Sequence, residues 1–287
     1  MSRDGTIAAP DLTPPEIPRP SAIGGNWRRF WELVWITATQ DFKRRYAHSA
    51  LGYIWTLLSP MLLFAAIYLV VLQIKVRFNN QVTDYGALLF TNIVLFQFYV
   101  QGSNRAIRSL VRNSSLLTKM SIPRMVMPLS AVLCVLFTLC MNLIVVFVWV
   151  LFWPIHPMWT WLLLPVIVSG LVLITSAVGL LLSTIYVRYR DVGEIYPLIA
   201  RCLFYTSPVI IPIGLMPKPL FDAQSFNPIA PIIVQVRPWL IDPNAPGWFE
   251  LGKSLWWEVM PFIIFAAICV AGWLVFTRKS RRVAEEV

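Results

Sequence analysis

The chain has 287 residues, 57% hydrophobic and only 13% charged, with a mean hydropathy of +0.67 and a net charge of +10. A soluble domain is roughly 45–50% apolar and about 25% charged, because its surface needs charge to stay solvated. These figures exclude a soluble globular protein, a disordered chain, collagen and a disulfide-stapled scaffold; the apolar excess must face lipid.

Residues 1–25 carry five prolines and neither an apolar run nor a cleavage motif, so the expectation is a disordered cytoplasmic tail rather than a signal peptide. In the next segment, 26–46, Trp27, Phe30, Trp31, Val34, Trp35, Ala38 and Phe42 recur at spacings of three and four and predict one apolar helix face. Arg28, Arg29, Glu32, Gln40, Lys43 and Arg44 fill much of the remainder. Tryptophan opposite a basic face predicts a helix lying in the membrane interface; an amphipathic helix packed on a core is the alternative.

Residues 47–278 hold six stretches long and apolar enough to cross about 30 Å of hydrocarbon. They lie near Tyr53–Lys75, Tyr85–Gln101, Met125–Phe152, Trp161–Tyr186, Glu194–Ile213 and Trp257–Phe276. The expected fold is therefore an all-α integral membrane protein of six transmembrane helices preceded by an interface helix. Asn92 and Gln97 interrupt the second span, which predicts that it faces protein or a cavity. Arg201 and Pro208 in the fifth are equally unsuited to lipid.

Eighteen of the 24 Lys+Arg fall before span one, between spans two and three, between four and five, and after span six; five fall on the other side. The positive-inside rule then places both termini in the cytoplasm, with residues 279–287 as a cytoplasmic tail. The charge is a topology signal, which removes the motive for a nucleic-acid partner.

Between spans two and three, Asn104–Met120 predicts a short helix with Ile107, Leu110 and Val111 on one face and Arg105, Arg108 and Arg112 on another. Such a helix suits docking to a soluble partner; an interfacial connector held by anionic lipid is the alternative. The next loop crowds Arg188, Arg190, Asp191 and Glu194, which suggests a protein contact or internal salt bridges. Between spans five and six, roughly 214–256, a long proline-rich stretch contains IAPIIVQVRPWLI, too short to span. Short re-entrant helices are expected there, with Trp239, Trp248, Trp256 and Trp257 anchored at the outer headgroups.

Cys134, Cys140, Cys202 and Cys269 form no C-x-x-C pair, and His48 and His156 stand apart, so no metal site is expected. Phosphate-binding, hydrolase and metalloprotease motifs are missing, and the spans hold almost no Asp or Glu. Asp41, Asp84 and Asp191, the acids that a membrane-embedded glycosyltransferase would need, are not clustered. Energy for any transport must come from another subunit.

Three stretches resemble the transmembrane subunits of ABC-2 type exporters of lipid-linked polysaccharides such as O-antigen, teichoic acid and galactan. In the lead into span one these are Arg45, Tyr46, Ser49, Leu51, Gly52, Trp55 and Pro60. Lys119, Pro123, Arg124, Pro128 and Leu129 form the second set; Arg190, Asp191, Val192, Ser207, Pro208 and Val209 form the third. The proline-rich head and tryptophan-loaded outer loop resemble the galactan exporters among them. This resemblance implies a homodimer joined to two copies of a separate nucleotide-binding subunit, where Mg-ATP would bind; no cofactor and no enzymatic activity are implied in this chain. It assigns ATPase coupling to Arg105, Arg108, Arg112 and Lys119, with a second contact at Arg188, Arg190 and Asp191. Trp27, Trp31 and Trp35 fall on the family's interface helix, and Phe226–Ile241 on its short re-entrant helices. An ABC-2 permease for a small lipid or drug is the alternative.

The implied polyprenyl-pyrophosphate linker calls for guanidinium groups, which bind phosphate oxygens two at a time. Arg44 and Arg45 are the candidates at the cytoplasmic side; Arg201 within its span either joins them or snorkels to water. Sugar faces stack on aromatic rings. Phe90, Phe96, Phe98, Tyr99, Phe204 and Tyr205 either line such a path or are plain packing.

Overall fold

The computed structural model describes residues 27–46, 52–75, 84–114, 122–153, 155, 158–252 and 254–279, and every regular element among them is helical. The tail expected over 1–25, the motif residues Ser49 and Leu51, the candidate Lys119 and the tail beyond 279 lie outside the described residues.

Among the described residues seven long helices carry the fold, the first six being α1 (Trp27–Tyr46), α2 (Gly52–Lys75), α3 (Tyr85–Arg112), α4 (Val126–Leu151), α5 (Leu164–Arg188, entered through a tight turn at Trp159–Leu163) and α6 (Val192–Thr206). Short helices follow at α7 (Lys218–Ala223), α8 (Ala230–Val234), α9 (Val236–Leu240) and α10 (Trp248–Leu251) before the long α11 (Leu255–Lys279). Among the described residues, four stretches are long and apolar enough to cross a membrane: Ile54–Gln73, Val126–Leu151, Trp159–Arg188 and Leu255–Arg278. They coincide closely with the first, third, fourth and sixth expected spans.

The other two expectations need correction. The second span does not stop at Gln101: α3 runs unbroken to Arg112, because no proline interrupts it. The separate helix expected at Asn104–Met120 is therefore, through Arg112, the end of α3. The fifth span does not reach Ile213 either. At 1.5 Å per residue, the 15 residues of α6 extend only about 22 Å before Ser207 turns extended ahead of Pro208.

α3 is the centre of the bundle, packed on α2, α4, α5 and α6, while α11 lies on α5 and α1 on α4. Lipid tails are as apolar as leucine, so association depends on close packing rather than on escape from water. The α3–α5 seam shows this: a Cβ on Gly102 would sit 2.7 Å from the Thr175 side chain, and Gly179 faces Ala106. Around that seam Leu89, Ile93 and Phe96 of α3 meet Val135, Leu139 and Val146 of α4, Leu171 and Ile174 of α5, and Phe204 of α6.

Beyond Thr206 the backbone leaves the helix, and its carbonyls need new donors. Gln224 Nε2 donates to Thr206 O at 2.7 Å, Asn92 Nδ2 to Pro208 O at 3.4 Å, and the Tyr85 hydroxyl to Ile210 O at 2.6 Å. Asn227 Nδ2 donates to Ser207 Oγ at 2.8 Å. α8 and α9 then bury Ile229, Ala230, Ile233 and Val236, in contact with α3 and α5. Of the four tryptophans expected as headgroup anchors, Trp248 and Trp257 instead stack on each other at 4.5 Å, with Phe221 against Trp257 at 4.8 Å, as a small core; Trp239 is half-buried and Trp256 is exposed.

Candidate functional site at the basic end

The expected apolar face of α1 splits in two. Phe30, Val34 and Ala38 are buried, and the first two join Leu110, Met125, Val126 and Met127 in a core of their own. Trp27, Trp31 and Trp35 stay 60%, 47% and 57% exposed. Packing on protein uses one flank, so the tryptophan flank is left open beside Ile36 and Leu133, where it lines a groove of about 590 Å³.

Arg44 and Arg45 end α1 and are exposed. Arg45 lies within electrostatic reach of the Cys134 thiol, as do Asp41, Arg105 and Arg112. Residues assigned by sequence to two tasks, anion binding and partner docking, thus share one neighbourhood. Arg201 stands on α6, on an exposed face with Leu198 and Tyr205.

The arginines of α3 each contact a neighbouring helix, and Arg108 and Arg112 stay exposed beside those contacts. Arg105 Nη1 donates to Cys134 Sγ at 3.8 Å. Arg108 Nη2 donates to Gly193 O at 2.7 Å and pairs with Glu194 Oε1 at 3.1 Å. Arg112 Nη2 pairs with Asp41 Oδ2 at 2.9 Å. Local chemistry explains the Gly193 bond. Pro197 has no N–H, so the carbonyl four residues earlier loses its helical donor, and Arg108 replaces it. Pro197 and Asp41 were the legible signals of these partners; neither stands out unless helices α1, α3 and α6 are known to meet.

Arg188, Arg190 and Asp191 remain exposed in the turn between α5 and α6. The two guanidinium groups lie 5.5 Å from the rings of Tyr189 and Tyr186, and the Asp191 carbonyl accepts from the amides of Glu194 and Ile195 in the first turn of α6. Of the internal salt bridges expected in this loop, Glu194 forms one, with Arg108.

Five of the six rings named for a glycan path lie inside the bundle. Phe90, Phe96, Phe98, Tyr99 and Phe204 are buried within this single chain, Phe96 at 0% exposure. Phe90 packs on Phe64 and Trp149, and Phe96 on Tyr99 and Phe204. In this conformation these rings fill the space around α3; Tyr205, 60% exposed, is the one expected ring on an open surface.

Residues 32–241 match the ABC-2 type transporter family. The O-antigen export system permease protein RfbA of Klebsiella pneumoniae is 28% identical over 259 residues, 89% of this chain and 95% of that protein. RfbA of Myxococcus xanthus is 26% identical over 175 residues, 61% of this chain and 66% of that protein. The polysialic acid transport protein KpsM of Escherichia coli is 20% identical over 224 residues, 75% of this chain and 82% of that protein. With the family pattern running from α1 to the end of α9 across an all-helical bundle, the chain belongs to the ABC-2 type transporter family.

Proposed function

We propose that this chain is the permease subunit of an ATP-driven exporter that moves a lipid-pyrophosphate-linked, galactan-like glycan outward across the bacterial inner membrane. The observation that carries the reading is its alignment with an O-antigen export permease over 95% of that protein's length. Two copies pair with two nucleotide-binding subunits, where ATP is bound and hydrolysed. The polypeptide crosses six times with both termini in the cytoplasm: α3 makes the second crossing inside the bundle, and α6 with the captured segment after Thr206 makes the fifth.

On this reading the open tryptophan flank of α1 lies among lipid headgroups and brings Arg44 and Arg45 to the linker phosphates. Arg201 offers a further guanidinium about nine residues, or roughly 14 Å, along α6 from Val192. Docking of the nucleotide-binding subunit falls to Arg188, Arg190 and Asp191 together with the segment through Lys119. The polyprenyl tail stays in the bilayer while the glycan passes between protomers beside Tyr205.

The test is co-purification with candidate nucleotide-binding subunits, followed by ATPase measurements in nanodiscs. Lipid-linked glycan should stimulate hydrolysis, and Arg44→Ala with Arg45→Ala should raise the concentration needed. Stimulation by small lipids or drugs and not by lipid-linked glycan would overturn the substrate reading.

A further inference from the structure

We propose that the basic end of α3 is a yoke joining α1 to α6, so that one displacement of α3 moves the helix bearing Arg44 and Arg45 together with the helix bearing Arg201. Its consequence for export rests on the function proposed above; its geometry does not.

Arg108 and Arg112 lie one turn apart on α3, yet reach different helices. Arg112 holds Asp41 of α1 at 2.9 Å, and Arg108 holds Gly193 O and Glu194 of α6 at 2.7 and 3.1 Å. One turn earlier, Arg105 contacts Cys134 of α4. Three successive turns of one helix thus address three others.

Neither ionic tie is needed to seat its helix. α1 is held by Phe30 and Val34 in the small core with Leu110 and Met125, and α6 by Tyr196, Ala200 and Phe204 in the main core. Both pairs are partly solvated: Glu194 is 84% exposed and the Arg112 side chain 54%. Solvated pairs stabilise weakly and break readily. Such a bond contributes direction rather than strength, which suits a tie between moving parts.

Each tie also depends on one acid. Asp41 pairs with Arg112 at 2.9 Å, and it is the acid among Arg45, Arg105 and Arg112 around the Cys134 thiol, so neutralising it removes the attraction between α1 and α3 and leaves their like charges facing. Arg108 faces the positive end of the α6 dipole, and Glu194 in the first turn offsets that cost. A docking role for these arginines toward a separate subunit would require neither Asp41 nor Glu194.

The experiment uses charge exchange. Spin labels at Gln40→Cys and Ile199→Cys, with Cys140, Cys202 and Cys269 replaced by alanine and the buried Cys134 retained, report the α1–α6 distance in the permease alone. Export is measured after reconstitution with its nucleotide-binding subunit. Asp41→Arg and Arg112→Asp should each broaden the distance distribution and lower glycan exported per ATP by about tenfold, with insertion unchanged. The double exchange should restore both readouts, and Arg112→Lys should retain them. Exchanging Arg108 with Glu194 should restore them only in part, because glutamate has no donor for the Gly193 carbonyl. Wild-type distances in the single reversals, or a double exchange no better than the singles, would overturn the yoke. Should no nucleotide-binding subunit support export by the wild-type chain, the proposed function falls, while the distances still decide the yoke.

Discussion

The two halves of α3 are fastened in opposite ways. From Tyr85 to Tyr99 the helix is almost wholly buried, and its polar side chains grip backbone carbonyls of the segment after Thr206. From Arg105 to Arg112 it is partly solvated, and it holds its neighbours through guanidinium groups. Buried neutral bonds are expensive to break because the freed carbonyl finds no water; solvated ion pairs exchange with water at little cost. One rod therefore has a fixed end and a releasable end, which is what the proposed yoke requires.

The largest effect tests the fixed half. Phe96→Ala should cost about 3–5 kcal/mol, since it removes a fully buried ring that touches Tyr99 and Phe204. Thermal unfolding in detergent would register the loss. A variant of normal stability with slowed export would instead make Phe96 a path-lining ring. Tyr85→Phe comes next at about 1–3 kcal/mol, leaving Ile210 O without its donor. Asn92→Leu should be milder, within about 1 kcal/mol, because it deletes a long 3.4 Å bond and also removes Asn92 Oδ1, a buried acceptor with no partner among the described residues. Equal losses for Tyr85→Phe and Asn92→Leu would mean that the orphaned Oδ1 carries no cost.

How much of this was legible depends on whether a residue's neighbours lie nearby in sequence. Apolar runs marked α2, α4, α5 and α11, since crossing a bilayer is a property of one segment. Asn92 rightly flagged α3 as facing protein, because a carboxamide in hydrocarbon needs a partner. The partner itself, Pro208 O, lies 116 residues away and left no local trace. The same limit hid the partner of Arg108: charge periodicity shows which face it occupies, but only the missing amide of Pro197 shows why Gly193 needs it. Trp248 was misread, and Phe96 stayed open between path and packing, because an aromatic on a helix face has the same spacing whether the face meets sugar, lipid or another ring.

The smallest predicted effect on stability separates the two halves most cleanly. Arg112→Ala should change unfolding free energy by only about 0–1 kcal/mol, as solvated pairs do. Its signature is local: amides at the end of α1, near Asp41, should exchange hydrogen faster. Salt should act in the same direction without any mutation, since the screening length falls from about 10 Å at 0.1 M to about 3 Å at 1 M. Exchange near Asp41 and Gly193 should therefore rise with ionic strength, while exchange across Thr206–Ile210 should not respond to salt, because Gln224, Asn92 and Tyr85 hold that segment with uncharged donors. Salt-sensitive exchange at Thr206–Ile210, or salt-insensitive exchange near Asp41, would remove the distinction between a fixed and a releasable end.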